Sequence, residues 1–445
     1  MAVLAASMLQ ACVVEPVGEA PTTVATGEAL DLVWARFRGP GGQGIREDAG
    51  LPVKWTGDSA NVRWRAAIAG SGNSSPVVAG RMVFLTAAEA AGTDAEGRDQ
   101  SNYIALALDL DTGTELWKTT IFTAPTERLH VNNTAAASPV TDGRSVWVYF
   151  GSHAARLDLR GKIVWLKEVD PGYRTASLYG IGTSPILLND LLVIFQDWEG
   201  RVVVDEGWLA TFDAATGEEK WRLTWEEESC CGYGTPIVWR RAGRTELIVP
   251  HSGEVVSYDP QTGERLWDYW HGGWQVVAGA LVQGEDMLCT LSGAHRRRTS
   301  SCIRLTTDEA GETAVEELWL TKWSPEVSAP IWYRDRVFGV TDGGVLIAHD
   351  PQTGERIGRR RITEGRRFRA ALVAGDGKLY VAASSGVIAV VDVDAPKLRI
   401  LSVNSLGDGW NGATPAIADG ALLVRRETSL FCIDGKSQPA PAGAG

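Results

Sequence analysis

The sequence lacks the short motifs that mark many catalytic centres. Its 445 residues include only six histidines, and none stands in an HxxxH or HExxH pattern, so a metal site built on a histidine pair is not indicated. Neither a G-x-S-x-G motif nor a P-loop is present. The chain therefore carries none of the usual signatures of a hydrolase, a zinc protease or a nucleotide-binding protein.

Long apolar runs and an excess of positive charge are missing as well. No stretch is long and apolar enough to span a bilayer. The formal net charge of −12 argues against a general nucleic-acid binder. Hydrophobic residues make up 44% of the chain, which is ample for sheet-on-sheet cores, and the 50 glycines suit a chain with many turns.

A repeated peptide dominates what the sequence does contain. DPQTGERLW at Asp259–Trp267 returns as DPQTGERIG at Asp350–Gly358, and weaker copies occupy Asp109–Trp117 and Asp213–Trp221. In each copy an Asp ends an apolar run and a Thr-Gly turn follows, in which Gly takes the positive φ that a tight turn needs. The repeat therefore predicts a strand, a turn and a second strand, usually with a Trp four residues after the Gly.

A small residue followed by Pro marks the other end of most units, as in Ser75-Pro76 and Thr414-Pro415. Between these marks the chain divides into units of four strands, about 40–50 residues each, which is typical of propellers. We therefore predict an all-β fold, a single eight-bladed β-propeller of four-stranded blades over residues 34–435. The predicted blades are Ser74–Ile121, Ala136–Val169, Thr183–Trp225, Tyr233–Trp270, Val277–Lys322, Ser328–Ile362, Arg369–Leu406 and Gly412–Asp434.

The eighth unit ends one strand short. The missing strand is found near the start of the chain, where Asn61–Ile68 has the Trp-bearing pattern of an outer strand without a blade before it. We predict that this N-terminal strand completes blade eight and closes the ring. Deleting the residues before Val62 is then expected to leave the ring closed, whereas deleting through Ile68 should open it.

The D-x-x-T-G-x-x-x-W repeat resembles the tryptophan-docking motif of the quinoprotein-like (PQQ-like) eight-bladed propellers, over about Trp34 to Asp434. The resemblance implies that each Trp packs between neighbouring blades. Blades six and seven depart, with Ile357 and Ile400 near the expected place. BamB-like outer-membrane assembly lipoproteins are shorter relatives, and PQQ-dependent alcohol dehydrogenases are longer ones. The structural docking positions are Trp64, Trp117, Trp165, Trp221, Trp267 and Trp319.

The two ends fall outside the predicted propeller. Residues 1–12 are a short apolar run ending in Leu-Gln-Ala-Cys, which looks like a bacterial lipobox with Cys12 as the lipidated residue; an ordinary secretory segment or a frayed end is the alternative. Residues 13–33 are interpreted as a flexible tether and residues 436–445 as a disordered tail. We therefore expect a periplasmic protein anchored at the outer membrane through a lipid.

Two further cysteines stand on the arms of a predicted hairpin in blade five. The register that pairs Leu291 with Ser300 also sets Cys289 opposite Cys302. Two alternatives remain open at this point, a cross-strand disulfide, which fits an oxidising compartment, and a pair of small buried residues. Cys432 is interpreted as a core residue.

One face of the ring is expected to carry any functional site. The Thr-Gly turns share one face, which we call the bottom face, and the connectors between blades lie on the opposite, top face. In PQQ-dependent alcohol dehydrogenases a vicinal disulfide lies against the quinone in such a connector, and the resemblance nominates Cys230 and Cys231; alternatively, the small residues of this connector merely happen to be Cys. The other candidates for PQQ and Ca²⁺, chosen by loop position, are Asn133, Glu228, Trp274, Arg369 and Asp408.

Charge is unevenly spread over the predicted top face. Glu226–Glu228 lies on one side, and Arg296–Arg298 and Arg366–Arg369 lie across the ring. A face with both signs suits a protein or peptide partner, or an anionic ligand near the arginines. We expect a monomeric scaffold that binds an envelope protein or peptide, with no cofactor, no catalytic residue, no nucleic acid and no membrane contact besides the lipid. The alternative is a PQQ-dependent oxidoreductase acting on alcohols or sugars.

Overall fold

The computed structural model describes residues 29–57, 61–126, 135–171, 180–197, 207–225, 232–293, 297–395, 397–407, 409 and 412–435. These residues form eight antiparallel sheets arranged as the blades of an eight-bladed β-propeller, as the sequence predicts. One 3-10 turn, Pro40–Gly42, is the helical element of the described chain. No helix among these residues has the length and apolar character needed to cross a membrane.

Each blade has four strands, numbered here in chain order from the innermost outward. Blades one to four comprise β3 Val77–Ala79, β4 Met82–Thr93, β5 Asp99–Asp109, β6 Glu115–Pro125; β7 Val140–Thr141, β8 Ser145–Tyr149, β9 His153–Asp158, β10 Ile163–Glu168; β11 Ile186–Leu188, β12 Leu191–Gln196, β13 Gly207–Asp213, β14 Glu219–Trp225; and β15 Ile237–Arg241, β16 Arg244–Pro250, β17 Glu254–Tyr258, β18 Arg265–Trp270. Blades five to eight comprise β19 Leu281–Gln283, β20 Met287–Ser292, β21 Thr299–Thr307, β22 Thr313–Thr321; β23 Ile331–Tyr333, β24 Arg336–Val340, β25 Val345–His349, β26 Arg356–Arg361; β27 Val373–Gly375, β28 Lys378–Ala382, β29 Val387–Asp392, β30 Arg399–Ser405; and β31 Ala416–Ala418, β32 Ala421–Arg426, β33 Ser429–Asp434, β2 Val62–Ala67.

The ring is closed by the strand that the sequence identifies. β2 pairs antiparallel with β33, from Val62 opposite Ile433 to Ala67 opposite Ser429. An ion pair between Arg63 Nη2 and Asp434 Oδ2 at 2.8 Å reinforces the end of this ladder. Blade eight is therefore built from both ends of the propeller sequence, which confirms the predicted closure.

Tryptophans on the outer strands join neighbouring blades through backbone carbonyls. The indole N–H of Trp64 donates to the carbonyl oxygen of Leu110 at 2.9 Å, and the acceptor directly follows the Asp of the next blade's turn. The ring also lies against the Gly of that turn, since a Cβ on Gly113 would come within 2.6 Å of it. The same hydrogen bond joins Trp117 to Leu159, Trp165 to Ala214, Trp221 to Pro260 and Trp319 to Pro351.

Trp267 differs, because its indole donates to the carboxylate of Glu246 at 2.6 Å. The next blade is blade five, whose turn departs from the repeat. Glu246 is fully buried and also accepts hydrogen bonds from Arg244, Ser257 and Arg241 at 2.7–3.1 Å. Burial alone would raise the pKa of Glu246, but these donors and Trp267 outweigh it and hold the pKa below its ordinary value.

The cysteines of blade five form the disulfide that the sequence allows. Cys289 and Cys302 are bonded, with their Cα atoms 4.0 Å apart. The register sets them opposite one another, and Leu291 opposite Ser300, as predicted. Cys432 is a buried free thiol in the core, which confirms its interpretation.

A strand outside the blade pattern precedes the closing strand. β1, Leu32–Trp34, pairs antiparallel with β3 on the inner edge of blade one, and Trp34 is fully buried. β1 begins inside the stretch that composition marks as a tether. The chain enters the ring at its bottom face, where the amide of Leu30 donates to the carbonyl of Gly143 in the turn after an innermost strand.

Residues 29–57, which we call the N-terminal segment, run across the centre of the ring. They contact blade one through β1 and reach six more blades through hydrogen bonds to inner strands and their turns. These bonds join Ala35 to Thr141, Arg36 to Pro236, Gln43 to Val282, Arg38 to Pro330, Gly44 and Arg46 to Ala374, and Asp48 to Gly420.

The end of the N-terminal segment leads outward to blade eight. Leu51 and Trp55 are buried, at 3% and 4% exposure, and Thr56 forms a parallel bridge with Ser405 of the outer strand of blade seven. The chain before Val62 therefore contributes to the core. Deleting the residues before Val62 is still expected to leave the ring closed by β2, but the deletion also removes the buried side chains of Leu51 and Trp55.

Candidate functional site

The connectors of all eight blades surround a cup at the centre of the top face. Its volume is about 340 Å³, within the range of small-ligand sites. Phe37, from the N-terminal segment, forms part of its floor. The cup is therefore a recess closed from below by the protein's own chain.

Hydroxyl groups on the connectors form a belt around the cup. The belt consists of the Ser or Thr that precedes the Pro at the start of a blade, namely Ser75, Ser138, Ser184, Thr235 and Thr414. Each hydroxyl accepts the backbone N–H of the equivalent residue in the preceding blade, at 2.8–3.0 Å. The belt satisfies buried amides between blades, which explains why this motif recurs in the sequence.

The hydroxyl belt is interrupted in blades five, six and seven. The equivalent positions hold Gly279, Ala329 and Ala371, which cannot accept such a bond through a side chain. Phe37 packs there, against Ala278, Ala329 and Ala371. The loss of the hydroxyls thus leaves a small apolar surface on which the floor of the cup rests.

Three charged side chains, Arg298, Glu326 and Arg369, line one side of the cup. Together with Asp342, the partner of Arg369, we call them the charged wall. Arg298 forms an ion pair with Glu326, and Arg369 Nε lies 3.4 Å from Asp342 Oδ2. Burial raises the pKa of Asp342 above its ordinary value, against the opposing effect of Arg369. The wall presents both signs of charge, which suits an occupant that is itself polar or zwitterionic.

The structure describes two of the residues that the sequence nominates for PQQ and Ca²⁺, Trp274 and Arg369, and it places them differently. Arg369 lines the cup. Trp274 lies on the connector between blades four and five, where its amide donates to the carbonyl of Arg297 at 3.0 Å, and it is not among the residues that line the cup. The remaining candidates lie outside the described residues and stay predictions. They are Asn133, Glu228, Cys230, Cys231 and Asp408.

The chain directly after the cysteine pair is held beside the cup. The amide of Gly232 donates to Asp197 Oδ2 at 2.7 Å, and the amide of Tyr233 donates to the carbonyl of Val276 at 2.6 Å. Tyr233 itself lines the cup. The connector that carries Cys230 and Cys231 therefore leads to the wall of the cup.

The described residues do not by themselves form a site for PQQ and Ca²⁺. Within the described ranges no group of three or more His, Cys, Asp or Glu is placed to hold a metal ion. Arg298 and Arg369 could meet the carboxylates of a quinone cofactor, but each is already paired with an acidic side chain. Phe37 forms part of the floor, and Trp274 is not among the residues that line the cup.

Phe37, Glu326 and Asp342 were not singled out from the sequence. The sequence contains one feature that could have indicated the place of Phe37. In three consecutive units, the Ser or Thr at the start of the blade is replaced by Gly or Ala. That change predicts an apolar gap in the belt, although it does not say what fills the gap.

Comparison with known proteins gives one family and one fold. The family model described as outer membrane protein assembly factor BamB matches residues 43–178, 101–357 and 205–438. None of the curated proteins matches the sequence.

Several solved structures share the fold at low sequence identity. The quinohemoprotein alcohol dehydrogenase from Comamonas testosteroni is 12% identical, with 92% of this chain and 82% of that chain covered and a TM-score of 0.59. A europium-containing methanol dehydrogenase is 12% identical over 88% of this chain and 89% of that one, with a TM-score of 0.60. The computationally designed Ika8 protein is 13% identical over 83% and 100%, with a TM-score of 0.53. Because enzymes and a designed protein are similar to this chain to a comparable degree, these likenesses establish the propeller and no activity.

Proposed function

We propose, from the premise that the chain belongs to the family described as outer membrane protein assembly factor BamB, that it is a binding scaffold of the cell envelope. It is exported, held to the outer membrane by a lipid on Cys12, and binds a segment of an envelope protein or a peptide in the top-face cup. The observation that carries the proposal is the cup itself, to which all eight connectors contribute and which Phe37 closes from below.

The lining of the cup favours a polypeptide occupant. Apolar side chains such as Ile181 and Val327 alternate around it with polar ones such as Asn73 and Gln275. The charged wall adds both signs on one side. A peptide loop or chain end offers the same mixture of apolar, amide and charged groups.

Two features support export and anchoring. The Cys289–Cys302 disulfide suits an oxidising compartment. The chain also enters the ring at the bottom face, so a lipid on Cys12 would be attached on the side opposite the mouth of the cup. The cup is then free to face a partner.

Photo-crosslinking in the native host tests the binding role. A photoreactive amino acid replaces Val327, which lines the cup and is partly exposed. The matched control carries the same amino acid at Gln261, an exposed residue of a Thr-Gly turn on the bottom face. Adducts to one or a few envelope proteins from position 327 alone are expected. Equal adducts from both positions, or adducts from 261 only, would remove the cup from the proposal.

Anchoring is tested separately with Cys12→Ser. Wild-type protein should be recovered with outer membranes and carry a fatty acid, whereas the variant should be recovered in the soluble periplasmic fraction. A variant that stays in the membrane fraction would show that Cys12 is not the anchor.

A PQQ-dependent oxidoreductase acting on alcohols or sugars is the second candidate. Arg369 reaches the cup, and the connector bearing Cys230 and Cys231 leads to the cup wall. Calorimetric titration of the oxidised protein with PQQ and Ca²⁺ distinguishes the two candidates. Saturable one-to-one binding that is lost in Cys230→Ser would favour the enzyme, and no heat at high micromolar PQQ would reject it.

A further inference from the structure

A second cavity lies beneath the floor of the cup, inside the ring. It has a volume of about 20 Å³ and is lined by Arg36, Phe37, Arg38 and Gly42 of the N-terminal segment and by the inner edges of blades four, five and six. This is room for one species of roughly the size of a water molecule or a small ion. Phe37, Thr235, Val277 and Ala329 line both cavities, so the second cavity directly adjoins the cup.

The two arginines that line this cavity bind only backbone carbonyls. Arg36 Nη2 donates to Pro236 at 2.9 Å. Arg38 Nη2 donates to Pro330 at 2.5 Å and to Gln43 at 3.1 Å. The Nε of each guanidinium is buried and has no hydrogen-bond partner among the described residues, and Arg38 is only 2% exposed. Each side chain therefore has a donor left over next to the cavity.

The positive charge here is not offset by a carboxylate of the described chain. Burial lowers the pKa of Arg36 to about 10. Burial and the neighbouring charge of Arg36 together lower the pKa of Arg38 to about 10. Both groups stay protonated at neutral pH. Two like charges buried together without a counter-charge are costly, so an anion between them would be bound favourably.

The backbone around the arginines is shaped to hold them in place. Arg38 has φ 61° and Gly39 has φ 62°, and such a conformation is unfavourable for a non-glycine residue. Gly42 and Gly44 leave room for the guanidiniums, since a Cβ would lie 3.2 Å from Arg36 Nη2 and 3.4 Å from Arg38 Nε. The loop therefore accepts backbone strain at Arg38 and places both arginines at the second cavity.

We propose that this cavity binds a small monovalent anion, of the size of chloride, between the guanidinium groups of Arg36 and Arg38. The small volume selects a halide over a carboxylate-bearing ligand while Phe37 covers the cavity. The bound ion neutralises part of the buried charge and thereby ties the N-terminal segment to the centre of the ring. The proposal for this cavity does not depend on which ligand occupies the cup.

Bromide is the probe for a direct test on the wild-type full chain. Crystals grown without chloride are soaked in sodium bromide, and the anomalous signal of bromine is measured. A peak within about 3.5 Å of both guanidiniums is expected. Density without an anomalous peak at this position, in a crystal whose surface sites have taken up bromide, would mean that a water molecule fills the cavity and would overturn the proposal.

Thermal unfolding gives a second test in solution. Chloride is varied against gluconate at constant ionic strength, and above saturation the melting temperature should rise by about 1–2 °C for each tenfold increase in chloride. Arg36→Gln and Arg38→Gln should lose this dependence. The control Arg369→Gln, which removes a guanidinium from the charged wall of the cup, should keep it.

The variants and the soak overturn the proposal in different ways. An Arg36→Gln protein that retains the full chloride dependence would show that the anion binds elsewhere. If Arg36→Gln and Arg38→Gln both fail to fold, the bromide peak in wild-type crystals still decides the question, because it requires no substitution.

Discussion

Glu246 and the indole of Trp267 replace, in blade four, a contact that other blades make with a backbone carbonyl. The exchange turns a neutral hydrogen bond into one to a buried carboxylate, and such bonds contribute more to stability. The folded pKa of Glu246 lies below its ordinary value. Its contribution is therefore complete above the unfolded pKa of about 4.3 and is lost as pH falls through the folded pKa.

Replacing Trp267 with Phe removes one donor to Glu246 and keeps most of the aromatic volume. We expect a loss of about 1.5–3 kcal/mol at pH 7. The difference from wild type should shrink as pH falls, because a protonated Glu246 depends less on the donor. Urea unfolding at a series of pH values from neutral to acid measures this.

Trp319→Phe is the matched control for that experiment. Its indole donates to the carbonyl of Pro351, which does not titrate, so the loss should be about 1 kcal/mol at every pH. Parallel pH profiles for the two variants would contradict the role given to Glu246.

At the residue scale, positions could be predicted from the sequence where a local pattern determines them. The docking tryptophans and the paired cysteines could be placed because turns and strand registers repeat. Arg369 could be placed at the cup because it stands in a connector, and its role in binding a cofactor stays a prediction. Phe37 could not be placed, because it packs against Ala278, Ala329 and Ala371, which lie far along the chain at separations that no repeat encodes.

At the scale of elements, the N-terminal segment sets this protein apart from a plain ring of blades. RFRGPGGQG shows neither helical nor strand periodicity, so its path could not be read from the sequence. Its contacts are also remote, as between Arg38 and Pro330, 292 positions further along the chain. The blades, by contrast, are antiparallel meanders, and their repeat was sufficient to predict them and the closing strand.

Truncations separate the contributions of the N-terminal segment and β2. The protein lacking residues 1–28, which lie outside the described residues, is the reference for the longer truncations. Removing residues 1–57 should keep the ring closed by β2 but lower the melting temperature, because it deletes the buried side chains of Trp34, Leu51 and Trp55, at roughly 1.5–3 kcal/mol each. Removing residues 1–68 should open blade eight. Equal melting of the last two proteins would mean that β2 does not close the ring in solution.

The disulfide of blade five joins two neighbouring strands, β20 and β21. Its cysteines are 13 positions apart, and closing a loop of this size stabilises the folded state by about 3 kcal/mol in the chain-entropy estimate. A Cys289→Ala, Cys302→Ala double variant should be less stable by about this amount in denaturant. The double variant should not respond to reductant, whereas the control Cys432→Ala, which removes only the buried free thiol, should lose stability in reductant as the wild type does. A wild-type protein that melts alike with and without reductant would contradict the structural role of the disulfide.

For the whole molecule, the N-terminal segment makes the blades depend on one another. Repeat proteins whose units contact only their neighbours can unfold in parts. Here one segment contacts seven of the eight blades, and blade eight needs both chain ends. We expect a single cooperative transition, with the calorimetric and van't Hoff enthalpies equal. The protein lacking residues 1–57 should instead unfold over a broader range, and a sharp transition there would assign cooperativity to the blades alone.

The closing strand also determines when the ring can close during synthesis of the chain. β2 leaves the ribosome before any blade, yet its partner β33 is the last strand of the propeller, and the ion-paired Arg63 and Asp434 are 371 positions apart. Throughout synthesis β2 exposes an unpaired edge, and such edges are where chains aggregate. The native ring can therefore close only after β33 has been synthesised, and a truncation that removes β33 leaves β2 without a partner.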